Sequence, residues 1–178
     1  MDVQKLIDLH YGKDEPLRHV LLTHSEAVAR RCVRIIEQHP ELQIDAQFVK
    51  EAAMLHDIGI CFCNAPSIHC HGTHPYICHG HLGAELLREY GYDRHARVCE
   101  RHTGAGLTKE EIIRQQLPLP ADDFLPETLE EKLICYADKF YSKTRLDDEK
   151  TLEQAVHSLE KFGFEGVARF LEWHKIFN

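Results

Sequence analysis

Apolar residues recur every three or four positions along most of the chain, which is the spacing of amphipathic helices. A long helix is predicted from Asp14 to Gln38, because a proline lies in its first turn and the His39-Pro40 pair disfavours continuation. A second helix is predicted from about Asp45, a plausible N-cap, to Asp57, with Gly59 placed to terminate it.

The second half of the chain repeats this helical pattern with clear start and stop signals. Helices are predicted over about 80–90, stopped by Gly91, and over about 94–102. Ser/Thr-x-x-Glu/Gln capping boxes then predict three helix starts. These are Thr108 with Glu111, Thr128 with Glu131, and Thr151 with Gln154. The helix after Thr128 is expected to run through Asp138 to about Lys143, and a helical stripe covers 167–177.

Residues 60–77 break the period, because they contain proline, glycine, asparagine and serine in no regular spacing. This segment is predicted to be an ordered loop. Convincing strand alternation, internal repeats and linkers are absent from the sequence. The pattern therefore predicts an all-α, single-domain helical bundle over residues 1–178, with C-terminal helices over about 151–177.

The composition is that of a globular domain, with 178 residues, 43% hydrophobic and 28% charged. The sequence has neither an apolar run long enough for a membrane span nor a signal-peptide pattern at its start, so we expect a cytoplasmic protein without a membrane partner. A net charge of −8 argues against long nucleic acids as partners. Seven cysteines fit free thiols or metal ligands better than a disulfide framework.

Histidine is the unusual component, since the chain has fourteen. Six of them fall between residues 56 and 81, and such tracts are candidates for metal binding. His24 lies on the apolar stripe of the long helix, where a polar side chain needs an internal partner. His102 faces inward by the same periodicity. Asp138 lies at the edge of an apolar stripe, where an unpaired carboxylate is costly and a cation is expected nearby.

The order His24, His56-Asp57 and Asp138, with LHDIG written out in full, resembles the HD-domain superfamily of metal-dependent phosphohydrolases. The segments CHGHLGAELL and CERHTG resemble its branch with two further histidines and a two-metal centre, which includes symmetrical dinucleoside tetraphosphate hydrolases. The resemblance runs from His24 to about Lys143, which implies a ligand-bearing core over about 17–143.

The resemblance implies a metal-ligand set of six residues. They are His24, His56, Asp57, His79, His102 and Asp138. His79 is preferred because it stands four residues before the Gly83-Ala84 pair, and His81 is the alternative. The set implies two divalent ions bridged by Asp57, with iron or manganese favoured and zinc, cobalt or nickel also open.

The implied activity is hydrolysis of a small phosphate ester or anhydride, with a nucleotide favoured, by a metal-activated hydroxide. Asp57 and Lys139 are the catalytic candidates, and Lys139 matches the ADK motif of the resembling family. Residues near the motifs are candidates for substrate binding. They are Lys139, Arg101, Lys143, Asn64, Ser67, His71, His74 and Tyr76.

Several other interpretations stay open at this point. Some relatives with this fold use the same ligands as a mixed-valent di-iron oxygenase, and a metal-loaded regulatory module is a third reading. A zinc knuckle of Cys61, Cys63, Cys70 and Cys78 with a neighbouring histidine is disfavoured by the cysteine spacing. A thiol nucleophile such as Cys78 beside His79 is also disfavoured, and the oligomeric state stays open. Cys32, Cys99 and Cys135 are expected to be small core residues.

Overall fold

A computed structural model describes residues 2–12 and 14–178 and gives an α-helical domain with a small sheet. The helices are α1 (Val3–Tyr11), α2 (Glu15–Gln38), α3 (Ala46–Leu55), α4 (His79–Glu89), α5 (Asp93–Arg101), α6 (Lys109–Arg114), α7 (Leu129–Asp138), α8 (Leu152–Leu159) and α9 (Phe164–Phe177). The strands are β1 (Cys63–Ala65), β2 (Cys70–His71) and β3 (His74–Pro75). The predicted all-α, single-domain bundle is confirmed, with the sheet as an addition.

Helix starts follow the predicted caps. Asp14 and Asp45 accept hydrogen bonds from the backbone N–H groups of Leu17 and Phe48, which satisfies donors that the first helical turn leaves free. All three predicted capping boxes form, at the starts of α6, α7 and α8.

The predicted loop at 60–77 is instead folded into short regular pieces. A 3₁₀ turn covers Ile58–Phe62 and leads into β1, which pairs antiparallel with β2 and parallel with β3. Strands of two or three residues are too short to show the alternation of apolar and polar positions that identifies a strand. This explains why the sequence pattern missed the sheet.

Three other elements differ from the prediction. Residues 3–11 form α1, whose Leu6, Ile7 and Tyr11 are buried. Helix α7 ends at Asp138 and not near Lys143, because the next backbone N–H groups donate to carbonyls three residues back and tighten the chain into a turn. Helix α3 ends at Leu55, before Gly59 is reached.

Two apolar clusters form the core. One joins α2, α3 and α7 to the C-terminal helices, with Val28, Tyr136 and Phe170 among its buried residues. The other joins α1 and the first half of α2 to α4 and α5, with Leu21 and Leu87 among its members. His24 lies on α2 between Leu21 and Val28, so the chemistry-bearing residues lie where the two clusters meet.

Over residues 2–12 and 14–178, no helix combines the length and the apolar character that crossing a bilayer would take.

Candidate metal centre

Asp57 is at the centre of the site and is fully buried. Its Oδ2 atom lies 3.1 Å from Nε2 of His24 and 3.0 Å from Nε2 of His56. Its Oδ1 atom lies 3.3 Å from Nε2 of His79 and 3.3 Å from Nε2 of His102. Each carboxylate oxygen therefore faces a different pair of imidazoles.

Asp138 completes the first of these two groups. Its Oδ1 lies 2.9 Å from Nε2 of His24 and 3.5 Å from Nε2 of His56. The ligand atoms of His24, His56, Asp57 and Asp138 all lie within 4.8 Å of one another, as do those of Asp57, His79 and His102. The structure thus brings together all six residues of the implied ligand set, in two groups that share Asp57.

The histidines and Asp138 of the two groups come from five helices. His24 projects from the middle of α2, and Asp138 is the last residue of α7. His56 and His102 cap the carboxyl ends of α3 and α5, and His79 opens α4.

Three of the imidazoles each donate a hydrogen bond to the backbone carbonyl three residues earlier in the chain. Nδ1 of His56 donates to the carbonyl of Ala53, Nδ1 of His79 to that of Tyr76, and Nδ1 of His102 to that of Cys99, each at 2.7 Å. A carbonyl only accepts, so in each neutral ring the proton is on Nδ1 and Nε2 carries a lone pair. This arrangement fixes the tautomer and orientation of an imidazole that binds a metal through Nε2.

The lone pairs of His79 and His102 face each other, which favours a cation between them. Nε2 of His79 and Nε2 of His102 are 3.0 Å apart although neither neutral ring has a proton to share there. Nε2 of His56 and Oδ1 of Asp57 are buried without a well-formed hydrogen bond among the described residues, and Oδ2 of Asp57 has the ammonium group of Lys143 at 2.6 Å. Buried polar atoms rarely remain unsatisfied, so this nitrogen and oxygen donor set fits divalent metal ions.

Burial and charge set the protonation states in the metal-free site. Burial lowers the pKa of His79 to about 3 and also lowers the pKa of His102, so both rings are neutral. Burial opposes ionisation of Asp57, but His56 and Lys143 outweigh it and hold the pKa of this carboxyl well below its usual range. Burial also opposes protonation of His56, but Asp57 and Asp138 raise its pKa to about 9.

Two lysines are in direct contact with the centre. Nζ of Lys143 lies 2.6 Å from Oδ2 of Asp57, and Nζ of Lys139 lies 2.7 Å from Oδ2 of Asp138. Lys139 also donates to the carbonyl of His102, at 3.0 Å. Lys143 reaches Asp57 because the chain turns after α7 ends.

A cavity of about 400 Å³ opens onto this centre. Its wall includes His79, His102 and Asp138 from the two groups, together with Lys139 and Lys143. Tyr76 also lines it and stacks on the ring of His79, with centroids 4.7 Å apart. The volume lies within the range of small-molecule sites.

Several predicted site residues lie elsewhere. His81, the alternative ligand, points away from both groups and pairs with Glu85 at 3.4 Å. Arg101 does not line the cavity, because its guanidinium donates to the carbonyl of Leu125 and pairs with Glu127. The small sheet carries the other candidates on its exposed surface, outside the cavity. They are Asn64, His71 and His74, while Ser67 lines a separate groove.

None of the cysteines belongs to either group of metal-ligand candidates in the part of the chain that the structure describes. Cys61, Cys63, Cys70 and Cys78 each donate to a backbone carbonyl. Burial raises the pKa of Cys63 to about 12 and that of Cys70 to about 11, so these thiols stay protonated. The arrangement supports neither a zinc knuckle nor a thiolate nucleophile.

The sequence pattern missed several residues of the cavity wall, most of which follow residue 143. Gln115, Lys150, Ser158, Lys161 and Phe162 line this wall. None of them stands in a motif, and a lysine in a loop looks like any surface lysine in the sequence.

Comparison with known proteins places the centre in a family context. Residues 21–142 match the family described as HD domain. The chain is 40% identical over 131 residues to a protein of Methanocaldococcus jannaschii named uncharacterized protein MJ0778, a match that covers 68% of this chain and 70% of that protein. No solved structure matches this chain.

Two further relatives are larger proteins. A tRNA (cytidine(56)-2'-O)-methyltransferase of Picrophilus torridus is 37% identical over 141 residues, covering 79% of this chain and 37% of that protein. A protein of the same name from Thermoplasma volcanium is 32% identical over 178 residues, covering 98% of this chain and 46% of that protein. The chain thus spans less than half the length of these two relatives.

Proposed function

Because the chain belongs to the HD domain family, we propose that its buried centre binds two divalent metal ions and hydrolyses a small phosphate ester or anhydride, with a nucleotide as the favoured substrate. The observation that carries this proposal is the position of Asp57, which directs one carboxylate oxygen to each group of imidazoles. A bridging carboxylate of this kind is suited to holding two ions side by side.

The ligand assignment follows from the two groups. His24, His56, Asp57 and Asp138 would hold one ion, and Asp57, His79 and His102 the other. The nitrogen and oxygen donors, without a thiolate, favour iron or manganese, and zinc, cobalt and nickel fit the same donors. When bound, such ions lower the pKa of a coordinated water and polarise a phosphoryl oxygen.

The chain's own residues then bind and orient the substrate. The ammonium groups of Lys139 and Lys143 lie beside the ligands at the cavity wall, where they would stabilise the negative charge of a phosphoryl group in the transition state. Tyr76 stacks on His79 and shields this ligand from water on one side. The positively charged wall favours an anionic substrate.

The test is a screen of the metal-loaded protein for release of phosphate or nucleotide. Protein reconstituted with iron, manganese or cobalt is offered dinucleoside polyphosphates, nucleoside monophosphates and cyclic nucleotides, with and without oxygen. We expect turnover of a phosphorylated substrate in both atmospheres. Consumption of O₂ with loss of turnover under argon would instead identify an oxygenase, and inactivity of fully loaded protein on every substrate would point to a regulatory module.

Asp57→Asn supplies the variant control for this screen. The substitution keeps the side-chain shape but removes the charge that both groups share. We expect metal content to fall and turnover to drop by more than about 100-fold, the upper range for losing a residue that only supports a ligand. His81→Ala should keep both properties, because His81 lies outside both groups. Full metal content in Asp57→Asn would contradict the assignment.

A further inference from the structure

The cavity has a second wall that the metal centre does not use. Lys150, Ser158, Lys161 and Phe162 line it, and they come from the segment that connects α7 to α9. Gln115 completes this wall from the residue after α6. We call these five residues the distal wall.

The distal wall carries two positive side chains, Lys150 and Lys161. Lys139 and Lys143 are paired with carboxylates of the centre, but no carboxylate of the described residues lies within salt-bridge distance of Lys150 or Lys161. The contact of Lys150 is the carbonyl of Lys139, at 3.4 Å, and Lys161 lies over the ring of Phe162. Within the described residues, Asp138 is the sole acidic side chain that lines the cavity.

All four lysines, Lys139, Lys143, Lys150 and Lys161, line the same cavity. Burial lowers the pKa of Lys150, Asp138 opposes this, and the ammonium groups of Lys139, Lys143 and Lys161 add to the lowering. Four ammonium groups and one carboxylate at the same cavity give it a net positive charge that favours an anionic ligand.

The packing of the distal wall fixes its position relative to the centre. The side-chain amide of Gln115 donates to the carbonyl of Phe162 at 3.4 Å, and the ring of Phe162 packs against Gly104, two residues after His102. The backbone N–H of Lys150 donates to the carbonyl of Phe140 at 2.8 Å, two residues after Asp138. Lys150 and Phe162 are therefore tied to the same turns that present the metal ligands.

The charged part of the distal wall lies outside the part of the chain that matches the family. The match covers 21–142, which includes all six candidate ligands, whereas Lys150 and Lys161 follow it. All six candidate ligands therefore lie inside the matched region, and the two lysines lie in the segment that follows it.

We propose that Lys150 and Lys161 form an anion subsite for a second phosphate group, so that the substrate carries at least two phosphates, one at the metal centre and one at the distal wall. This inference rests on the proposed function for the first phosphate. Gln115 lies beside the subsite with a second amide N–H besides the one that donates to Phe162, whereas the hydroxyl of Ser158 donates to the carbonyl of Ala155 at 2.7 Å.

The test measures binding of phosphonates, which are not hydrolysed and therefore separate the subsite from catalysis. Methylphosphonate carries one anionic group, methylenediphosphonate carries two on one carbon, and propane-1,3-diphosphonate carries two that are further apart. Each is titrated calorimetrically into metal-loaded protein, and metal content is measured again afterwards. We expect wild type to bind at least one diphosphonate about tenfold or more tightly than methylphosphonate, since charge-assisted contacts have that magnitude.

The double variant Lys150→Gln/Lys161→Gln should lose this preference and keep its affinity for methylphosphonate and its metal content. Lys50→Gln is the matched control, because Lys50 is exposed on α3 outside the cavity wall and its loss changes the charge in the same way. A larger loss of affinity for methylenediphosphonate in the double variant would indicate two phosphates joined to each other. A larger loss for propane-1,3-diphosphonate would indicate two phosphates carried on separate atoms.

Equal weakening of all three phosphonates, or an unchanged preference in the double variant, would overturn the subsite. Absence of any preference for a diphosphonate in wild type would also overturn it. The expected preference for a diphosphonate, lost in the double variant, could also be found in a protein that hydrolyses no phosphate compound. That result would support the subsite and count against the proposed activity alone.

Discussion

Lys143 places its positive charge directly beside Asp57. Its Nζ lies 2.6 Å from Oδ2, the same oxygen that faces His24 and His56. The ammonium group therefore neutralises the carboxylate in the metal-free centre, and it repels any metal ion that binds to the same oxygen. Lys143 thus stabilises the ionised carboxylate of Asp57 and opposes the binding of a metal ion to the same oxygen.

Lys143→Met should tighten metal binding by about tenfold or more, because two unit charges 4 Å apart repel by about 4 kcal/mol at an effective dielectric constant of 20 and part of this is relieved. Phosphate release should fall, since a charge at the cavity wall is lost. Competition with a fluorescent chelator measures the affinity, with Lys50→Met as control. Weaker metal binding in Lys143→Met would show that the lysine helps to orient Asp57 for the metal.

His79 and His81 form a natural pair for testing the second group. His79 faces Oδ1 of Asp57, whereas His81 pairs with Glu85 outside the centre. His79→Ala should lower bound metal by about one ion per chain and leave the group of His24, His56 and Asp138 loaded. His81→Ala should keep both ions. Metal analysis after gel filtration measures the stoichiometry, and equal losses in the two variants would remove the assignment of His79.

The six buried side chains could be located from the sequence because each is a polar residue on an apolar stripe or in a recognisable motif. His24 and Asp138 stand among apolar neighbours at helical spacing, so their burial was predictable. Lys139 and Lys143 were also among the predicted site residues, because they stand in or near the Asp138 motif. Lys150 and Lys161 follow that motif, where no periodicity tells a lysine at a cavity from any other exposed one, so their place at the cavity required the structure.

At the scale of elements, Gly59 determines how α4 meets the HD motif. A Cβ at this position would lie 2.2 Å from the carbonyl oxygen of His79 and 2.4 Å from the amide nitrogen of Gly83. Gly59 thus does not end α3 as its sequence context predicted. It lets the first turn of α4 pack against the turn at Ile58–Phe62, which brings His79 to Asp57.

Gly59→Ala should push α4 away from this turn and lower the free energy of unfolding by about 3 kcal/mol, the upper end of the range for overpacking. It should also weaken metal binding to the group of Asp57, His79 and His102 more than binding to the other group, because His79 moves with α4. Gly91→Ala is the comparison, since Gly91 has a φ of +76° and open space around it, and about 1 kcal/mol is expected without a change in metal content. Urea unfolding and metal analysis measure both effects.

The elements that the sequence predicted are those with local chemical signals. The three capping boxes form as predicted, and Gly91, with its positive φ, follows the end of α4. Helix α1 was not predicted, although it buries Leu6, Ile7 and Tyr11. The sheet depends on pairing between segments that are each too short to form alone, which is a tertiary effect.

At the scale of the whole molecule, the centre joins the two apolar clusters. The candidate ligands come from five helices, and His24 lies on α2 between the parts that enter each cluster. An ion bound to these groups therefore stabilises only the state in which the helices are assembled. Metal binding and folding should be thermodynamically linked.

Removal of metal should lower the melting temperature by about 5–10 °C when the starting free metal concentration is 100 times its Kd. This follows from a linkage free energy of about 2.7 kcal/mol and a shift of about 2–4 °C per kcal/mol for a chain of this size. Differential scanning calorimetry before and after chelation measures the shift. Asp57→Asn should show almost no response to chelation, and an unchanged melting temperature in wild type would separate the centre from the stability of the fold.

Proton release provides the last test, because His56 must lose a proton to bind a metal. The surrounding groups are Asp57 and Asp138, which raise the pKa of His56 to about 9, and the rings of His24 and His102. Below that pH the metal has to displace a proton from Nε2, so affinity should rise with pH by up to about tenfold per unit. His79 is neutral throughout this range and adds no such dependence.

Calorimetry at pH 7 in buffers of different ionisation enthalpy should detect about one proton released for the ion in the group of His24, His56, Asp57 and Asp138. The His79→Ala variant should release the same proton, since the pKa of His79 already lies far below pH 7. Affinity that does not change between pH 6 and 8 would mean that His56 is already neutral in the metal-free protein. In that case Lys143 alone would balance the charge of Asp57.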